Sequence, residues 1–276
     1  VYLWQTITMI KLYQLLNEIV GKPKAIILAG APGAGKGFIL RGLELGRMKV
    51  LNVDNQYIEN LKQANVSLDL KNATPEERSK AAIAMADANK KFKSSVEQTI
   101  KAKEPFILDG TAASLNKTRE LKNELINVGY DVFMLYVYTD LERSLKQNQD
   151  RFEKSDGKDR SLAPAIVLRT WKDVTSNFKP YKEMFGDNFV SVANTLQDEK
   201  LDNLEDIIKK YLNPFKAKGT KPKTPAQQAR SDKQKAELNQ AVKNLLSDDN
   251  VKFIVDNSVS KDEAQDKIQQ FLNSWV

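Results

Sequence analysis

The sequence lacks two of the residue types that most often carry catalysis, because none of its 276 residues is cysteine or histidine. Without cysteine, the chain forms no disulfide and offers no thiolate nucleophile or thiolate metal ligand. Without histidine, it has no imidazole base, so a His–Asp triad and an imidazole metal site are both excluded. Any proton transfer must therefore use carboxylates, lysines or tyrosines. The absence of cysteine is consistent with a reducing compartment, and we expect a cytoplasmic protein.

Long apolar runs are also missing, since no stretch approaches the length of a membrane span. Residues 1–20 are rich in apolar side chains, but Lys11, Asn17 and Glu18 interrupt them, and a basic start and a small-residue cleavage site are absent. We therefore predict neither a membrane association nor a secretory signal. We interpret the apolar positions of residues 4–20 as a helix that packs on the core.

Acidic residues are outnumbered, because 43 lysines and arginines stand against 36 aspartates and glutamates, a net charge of +7. Such an excess favours binding of phosphates or polyanions, although four of the surplus lysines lie in the short stretch 214–225. The length fits one domain with an appendage, and a hydrophobic share of 41% is enough for a core.

The most informative stretch is residues 24–38, which read K-A-I-I-L-A-G-A-P-G-A-G-K-G-F. The apolar residues 25–29 predict a strand, and a helical pattern follows the lysine. Glycine-rich loops between a strand and a helix bind phosphate, because their N–H groups and the helix N-terminus form an anion cradle. We predict that ATP or GTP binds to this loop, through Gly30, Ala31, Pro32, Gly33, Ala34, Gly35, Lys36, Gly37 and Phe38.

The rest of the chain alternates between strand and helix patterns. We predict helices at 36–45, 74–100, 116–128, 162–185 with a break near Pro180, and 201–212, and strands at 48–53, 105–109, 130–138 and 189–192. With the first strand, this order predicts an α/β fold with a doubly wound, five-stranded parallel sheet. We divide the chain into an N-terminal helix (1–23), a P-loop kinase-like domain (24–213), a Lys/Pro linker (214–225) and a segment of two docking helices (226–276).

Several polar residues follow the predicted strands, where ligands of parallel sheets bind. Asp54 follows the second strand, as a base or a magnesium ligand through water, and Asp109 ends the third strand, where a second such ligand belongs. Thr111 adds a hydroxyl two residues later. Arg151 and Arg160 flank a charged stretch, as the arginines of a lid do. Phosphoryl transfer needs these groups: a phosphate cradle, a carboxylate base, cations and, in most enzymes, Mg²⁺.

These motifs resemble those of the zeta-toxin-like P-loop kinases, which are distantly related to polynucleotide kinases. The resemblance covers residues 24–195 and rests on G-A-P-G-A-G-K, V-D-N-Q-Y, L-D-G-T, G-Y-D-V, D-R-F and D-R-S-L-A-P. It implies phosphorylation of a sugar nucleotide, or of another hydroxyl acceptor, with ATP. It also implies that Lys36 holds the β- and γ-phosphates, that Asp109 and Thr111 lie at the acceptor, and that Arg151 and Arg160 clamp the triphosphate.

Three positions depart from the family pattern. Gly37 stands where a serine or threonine hydroxyl binds Mg²⁺. Gln56 stands where the family carries its base, so we expect Asp54 to act in its place. Asp109 replaces a longer glutamate.

Three functions remain open at this point. The leading hypothesis is an ATP-dependent kinase in which Lys36, Asp54, Asp109, Arg151 and Arg160 act on a small-molecule acceptor. The second is a catalytically degenerate P-loop protein, such as a phage virion component, with residues 226–276 binding a protein partner or a second copy. The third is a polynucleotide kinase, which the positive charge favours and the lack of an aromatic and basic stripe disfavours.

Overall fold

The computed structural model describes residues 21–155, 159–195, 204–212 and 223–274, apart from residues 42, 44, 46 and 47. The strands are β1 (Lys24–Ala29), β2 (Lys49–Asn52), β3 (Phe106–Asp109), β4 (Asp131–Thr139) and β5 (Phe189–Asn194). The helices are α1 (Lys36–Leu40), α2 (Val53–Gln63), α3 (Pro75–Lys101), α4 (Leu115–Asn127), α5 (Leu141–Lys154), α6 (Pro164–Ser176), α7 (Phe178–Phe185), α8 (Leu204–Ile207), α9 (Pro225–Leu245), α10 (Asp248–Asp256) and α11 (Lys261–Asn273). Helix α8 continues as a π-type turn, Ile208–Leu212. The predicted N-terminal helix and most of the predicted linker lie outside the described residues.

The five strands form one parallel sheet in the order β2-β3-β1-β4-β5. Helices cover both of its faces, so the predicted α/β fold with a doubly wound five-stranded sheet is confirmed. Strand β1 lies at the centre and all six of its residues are buried, as expected for a parallel strand covered on both faces. Its carboxyl end opens into the glycine-rich loop, which therefore starts from a buried strand that is paired on both sides.

The two faces of the sheet are covered unequally. One face packs against helices from α4 to α10, in a core that contains Trp171, Tyr136 and Phe178. On the opposite face, the helical residues of the described chain that join the core come from α1 and α11, including Ile39, Ala264 and Ile268. The last helix of the chain is thus one of the two described helices on that face.

The C-terminal segment is joined to the sheet by more than apolar contact. Val259 lies beside Val192 in a parallel bridge, and its N–H donates to the Ser191 carbonyl at 2.8 Å. At the far end of α11, the buried Lys24 donates from Nζ to Ser274 Oγ at 2.9 Å and to Asp131 Oδ2 at 2.8 Å. Helix α11 is therefore anchored at both ends.

Several helix boundaries follow from capping chemistry that is readable in the sequence. The capping box of α3 is present, because Thr74 Oγ1 accepts from the Glu77 N–H and Glu77 accepts from the Thr74 N–H. Helix α4 ends before Gly129, whose φ of 90° suits glycine. Thr224 begins α9 and Ser260 begins α11 by the same side-chain capping.

Other boundaries differ from the prediction. The predicted second strand is shorter and lies at the sheet edge, with Lys49 and Val50 exposed, so it is not fully buried. The residues after it form helix α2, for which no element was predicted, because the side chain of Asn52 caps the N–H of Asp54. The break predicted near Pro180 lies three residues earlier, at Asn177, since proline is tolerated in the first turn of α7.

Two further elements were mispredicted. Helix α1 ends at Leu40 rather than at residue 45, because Arg41 adopts an extended conformation. The C-terminal segment contains three helices rather than two, since α10 (Asp248–Asp256) separates from α9 at Leu246 and Ser247. Among the described residues, no helix has the length and the apolar composition needed to cross a bilayer.

Candidate phosphate-binding site

The glycine-rich loop leaves β1 at the carboxyl edge of the sheet and enters α1. Gly33 and Gly35 have φ values of 77° and 90°, which L-residues with a side chain rarely adopt. A Cβ on Gly30 would lie 2.7 Å from the Val137 carbonyl oxygen, so this position also requires glycine. Two of the loop glycines are therefore needed for their backbone conformation, and the third is needed for close packing.

Five successive carbonyls of this loop, those of residues 30–34, are held by side chains. Lys36 Nζ donates to Gly30 O at 2.9 Å and to Ala31 O at 3.3 Å. The next three carbonyls accept hydrogen bonds from side chains of α5 and β5. Ser144 Oγ donates to Pro32 O at 2.6 Å, and Asn194 Nδ2 donates to Ala34 O at 2.9 Å. With the Gln147 amide assigned in the orientation that satisfies both of its neighbours, its nitrogen donates to Gly33 O.

Because each peptide unit is planar, a hydrogen bond that holds its carbonyl oxygen also sets the direction of the N–H group on the other side of that plane. The side chains that hold Pro32, Gly33 and Ala34 come from α5 and β5, two elements that pack firmly in the core. Gln147 is itself oriented by Arg143, whose Nε donates to the Gln147 side-chain oxygen at 2.8 Å and whose Nη1 donates to Thr195 O at 3.1 Å. The loop is thus held in shape before any ligand binds, which lowers the entropic cost of binding.

Sequence reasoning missed these bracing residues, Ser144, Gln147 and Asn194. Asn194 could have been found, since it ends the fifth strand at the edge where ligands bind. Ser144 and Gln147 carry no local signal, because their role depends on how α5 lies against the loop.

The loop lysine is half-buried and has two carboxylates near it. Burial of its ammonium group lowers the pKa of Lys36 below the ordinary value of 10.5, while the Asp109 and Asp54 carboxylates act to raise it and Arg151 acts to lower it. These four predicted site residues therefore share one electrostatic neighbourhood. A phosphate group next to Lys36 would favour its charged form.

Asn52 connects the two predicted carboxylates and was not singled out from the sequence. Its Oδ1 accepts from the Asp54 N–H at 2.7 Å, and its Nδ2 donates to Asp109 Oδ2 at 2.7 Å. Asn52 and Asp109 are direct partners in the register of β2 and β3, which explains their contact. One amide therefore places Asp54 at the start of α2 and orients Asp109.

The two predicted lid arginines occupy different settings. Arg160 Nη2 pairs with Asp54 Oδ1 at 2.6 Å, and its guanidinium lies 5.5 Å from the centre of the Tyr57 ring. Within the described part of the chain, Arg160 Nε is buried and has no hydrogen-bond partner. Arg151 is more exposed and pairs with Asp159, whose other carboxylate oxygen accepts from the Arg160 N–H at 2.8 Å.

The remaining predicted residues lie at the same edge with different roles. The Thr111 carbonyl accepts from the Gly30 N–H at 3.1 Å, so this residue contacts the loop through its main chain. Gln56 donates to Asn60 Oδ1 at 2.9 Å and is therefore tied to its own helix. Phe38 is 52% exposed, and Lys261 Nζ lies 4.1 Å from the centre of its ring.

The carboxylate oxygens at this edge can bind magnesium only together with oxygens from water and from a bound nucleotide. Mg²⁺ binds through one or two carboxylates together with waters and phosphates. Asp109 and Asp54 can supply such carboxylates, whereas Gly37 supplies no hydroxyl. In the residues that the structure describes, no group of three acidic side chains forms a metal cage by itself. The set fits an ion held largely by substrate phosphates and water.

A separate open groove lies away from this edge. It has a volume of about 750 Å³ and runs between α2 and α3, with Lys80, Ile83 and Lys90 among its lining residues. None of the predicted site residues lines it. We therefore assign the site by its chemistry rather than by the size of a concavity.

The parallel sheet in this strand order, with a braced glycine-rich loop and lysine after its central strand, defines a P-loop protein of the phosphotransferase class. A family model described as Zeta toxin matches residues 13–207, which is most of the chain. The chain therefore belongs to the Zeta toxin family, and the resemblance read from its motifs is confirmed. A search of curated proteins by sequence gives no match.

Two solved structures are among those that match this chain. One belongs to the PezAT chromosomal toxin–antitoxin system of Streptococcus pneumoniae, with 15% identity, a TM-score of 0.45, and coverage of 80% of this chain and 88% of that chain. The other is the AvrRxo1-ORF1:-ORF2 complex with ATP, with 13% identity, a TM-score of 0.46, and coverage of 83% and 78%. Because both scores lie below 0.5, the family assignment rests on the sequence match.

Proposed function

We propose that this chain is an ATP-binding kinase that transfers the γ-phosphoryl group to a hydroxyl of a small molecule such as a nucleotide sugar. One observation carries the proposal. A pre-shaped phosphate loop with Lys36 shares one edge of the sheet with the carboxylates Asp54 and Asp109 and with Arg160. This is the set of groups that phosphoryl transfer requires.

The loop and its lysine bind the triphosphate in this proposal. The N–H groups at the start of α1 lack partners within the helix and attract anions. Lys36 leaves the carbonyls of Gly30 and Ala31 and contacts the β- and γ-phosphates. Arg160, with a buried Nε that lacks a partner among the described residues, and Arg151 approach the transferring group from the opposite side.

The chemical step needs one proton acceptor. The Asp54 carboxylate takes the proton of the acceptor hydroxyl while the hydroxyl oxygen forms a bond to the γ-phosphorus. The bond from that phosphorus to the β–γ bridging oxygen breaks, and ADP leaves with the electron pair. Lys36 and the arginines neutralise the charge that develops on the phosphoryl oxygens. When bound, Mg²⁺ would add charge neutralisation, with Asp109 and Asp54 as its ligands through water.

Turnover of ATP in the presence of acceptors tests the proposal. The protein is incubated with ATP, Mg²⁺ and a panel of nucleotide sugars, and ADP and the phosphorylated acceptor are measured. We expect acceptor-dependent ADP formation, which Lys36→Ala abolishes. If the wild type transfers no phosphate to any nucleotide sugar or 5′-hydroxyl acceptor, the catalytic proposal is wrong.

A second candidate is a P-loop protein of the same family that binds a nucleotide without transferring phosphate. It is favoured by Gly37, which offers no hydroxyl, and by Gln56, which bonds within α2 instead of entering the site. The role would then be interaction with a protein partner or a second copy through residues 226–276. The first half of α9 is almost entirely exposed, since every residue of 225–235 except Ser231 is exposed. ATP binding that is independent of Mg²⁺, with no turnover, would favour this candidate over the kinase.

A further inference from the structure

The helix that follows the phosphate loop is too short to hold itself in place. Helix α1 has five residues, and its last backbone bond runs from the Arg41 N–H to the Gly37 carbonyl at 3.2 Å. Isolated helices of this length are unstable, and the carbonyls of their last turn lack partners within the helix. The orientation of the N–H groups that face the phosphate therefore depends on what holds the opposite end of α1.

That end is held by a residue from the C-terminal helix. Gln265 Nε2 donates to Ile39 O at 2.7 Å and to Arg41 O at 3.0 Å, across 226 and 224 positions of the chain. Both acceptors are carbonyls at the carboxyl end of α1. The Leu40 carbonyl between them accepts locally from the Leu43 N–H at 3.2 Å, so Gln265 supplies from a distance the part of the C-terminal cap that serves Ile39 and Arg41.

Other contacts fix α11 firmly enough to act as a support. Ala264 and Ile268, which flank Gln265 on the same helix, are fully buried in one core with Ala34 and Ile39. The Lys24 contact to Ser274 and the bridge at Val259 anchor the two ends of the region. A displacement of α11 would therefore move α1 and the loop residue Ala34 together.

We propose that Gln265 is a positioning residue for the phosphate loop, so that α11 completes the nucleotide site of this chain. Helix α11 lies outside residues 13–207, the part that the family model matches. The site thus depends on a segment that the family pattern does not include. This inference rests on the proposed nucleotide binding and adds to it the support of the loop by the C-terminal segment.

A set of substitutions separates positioning from folding. Gln265→Met keeps the length of the side chain and removes both donors, whereas Gln265→Lys restores a donor and adds a charge that suits a helix C-terminus. Gln270→Met, at an exposed position of the same helix, is the matched control. Leu125→Ala weakens the core on the opposite face of the sheet and leaves α11 and Gln265 intact, so it reports the effect of lost stability alone.

The affinity for inorganic tripolyphosphate, which contacts only a phosphate cradle, is measured by calorimetry together with the thermal unfolding midpoint. We expect Gln265→Met to weaken binding by about tenfold and Gln265→Lys to stay within about threefold of the wild type. Gln270→Met should leave both quantities unchanged. Leu125→Ala should lower the midpoint but, measured well below that midpoint, should bind as the wild type does.

The outcomes distinguish the two claims. If the wild type binds tripolyphosphate and Gln265→Met binds it equally well, the positioning role is wrong and the proposed function stands. The role is also wrong if Gln265→Lys is as weak as Gln265→Met, or if Leu125→Ala loses affinity to the same extent. If the wild type binds neither tripolyphosphate nor ATP, the proposed function fails and this inference fails with it.

Discussion

Arg160 pairs with Asp54 at 2.6 Å although 106 positions separate them in the sequence. The pair joins a predicted lid residue to the predicted base. Because the Arg160 guanidinium occupies Oδ1 of Asp54, the carboxylate must accept the proton of the acceptor through Oδ2. The pair therefore makes Asp54 the residue whose substitution best separates chemistry from nucleotide binding.

Asp54→Asn should reduce phosphoryl transfer by roughly 10²–10⁴-fold, the usual contribution of a general base. The amide keeps the shape of the side chain but cannot take the acceptor proton. ATP affinity should stay within about threefold, since Lys36 and the loop are unchanged. Steady-state turnover and calorimetric ATP binding measure the two effects.

Asp87→Asn, at an exposed position on α3, is the control for this variant and should leave both quantities unchanged. Equal turnover by wild type and Asp54→Asn would assign the base elsewhere. If Asp54→Asn lost ATP affinity as well as turnover, Asp54 would instead be assigned to nucleotide binding.

Gly37→Thr should increase the effect of Mg²⁺ on ATP affinity, because it adds the hydroxyl that P-loops use to bind the ion. A Cβ at Gly37 would meet nothing within 4 Å, and the residue lies outside the left-handed region, so the site accepts the side chain. ATP binding with and without Mg²⁺ checks this. Gly37→Val, with the same shape and no hydroxyl, is the matched control, and an equal response of both variants would contradict the role of the hydroxyl.

The fold was predictable because its signals are local. The apolar strand Ala25–Ala29, the three glycines, the Thr74 capping box and the stop at Gly129 each determine structure within a few residues. The placement of Asp54 and Asp109 at the carboxyl edge followed from the rule for parallel sheets.

The missed features all depend on contacts between distant parts of the chain. Ser144 lies 112 positions from Pro32, Asn194 lies 160 from Ala34, and Gln265 lies 226 from Ile39. No periodicity or spacing reports such pairs. The helix after Asn52 was missed for a different reason, since an asparagine two positions before Asp54 is equally typical of a turn.

Ser144→Ala should weaken tripolyphosphate and ATP binding by roughly two- to tenfold, the range expected for a net hydrogen bond of about 0.5–1.5 kcal/mol. The hydroxyl of Ser144 is buried, and its loss leaves the Pro32 carbonyl without this donor. Calorimetric binding is compared with that of Ser95→Ala, an exposed serine on α3. If the two variants bind alike, the side-chain bracing does not contribute to the cradle.

ATP binding should take up protons in the alkaline range, because burial lowers the pKa of Lys36 below 10.5 and a bound phosphate raises it again. Between the lowered pKa of the free protein and the raised pKa of the complex, the complex holds more protons. Affinity should therefore fall as pH rises through this range. Folding has the opposite sign: because the unfolded chain holds more protons than the folded one in this range, the free protein gains stability as pH rises toward 10.5.

Calorimetry in buffers of different ionisation enthalpy counts the protons taken up on binding. The wild type should show uptake in the alkaline range, and any residual binding by Lys36→Ala should not. Binding by the wild type without proton uptake would contradict a direct contact between Lys36 and phosphate.

Removal of residues 223–276 should abolish cooperative unfolding of the remaining chain. Val242, Ile254, Ala264 and Ile268 are each at most 4% exposed and belong to the two cores of the sheet. Their loss exposes apolar surface on both faces, at about 25 cal/mol per Å². Denaturant unfolding of the truncated chain checks this. A truncated chain that unfolds with the wild-type midpoint would support the interpretation of this segment as a separate docking unit.

ATP affinity with and without Mg²⁺, for the wild type and for Lys36→Ala, tests the central claim most directly. The account predicts that the wild type binds ATP and that Lys36→Ala weakens binding at least tenfold in both conditions. Since Gly37 supplies no hydroxyl, Mg²⁺ should strengthen wild-type binding only through phosphates, water and carboxylates. No ATP binding by the wild type, or equal binding by Lys36→Ala, would contradict the assignment of this loop as a nucleotide site.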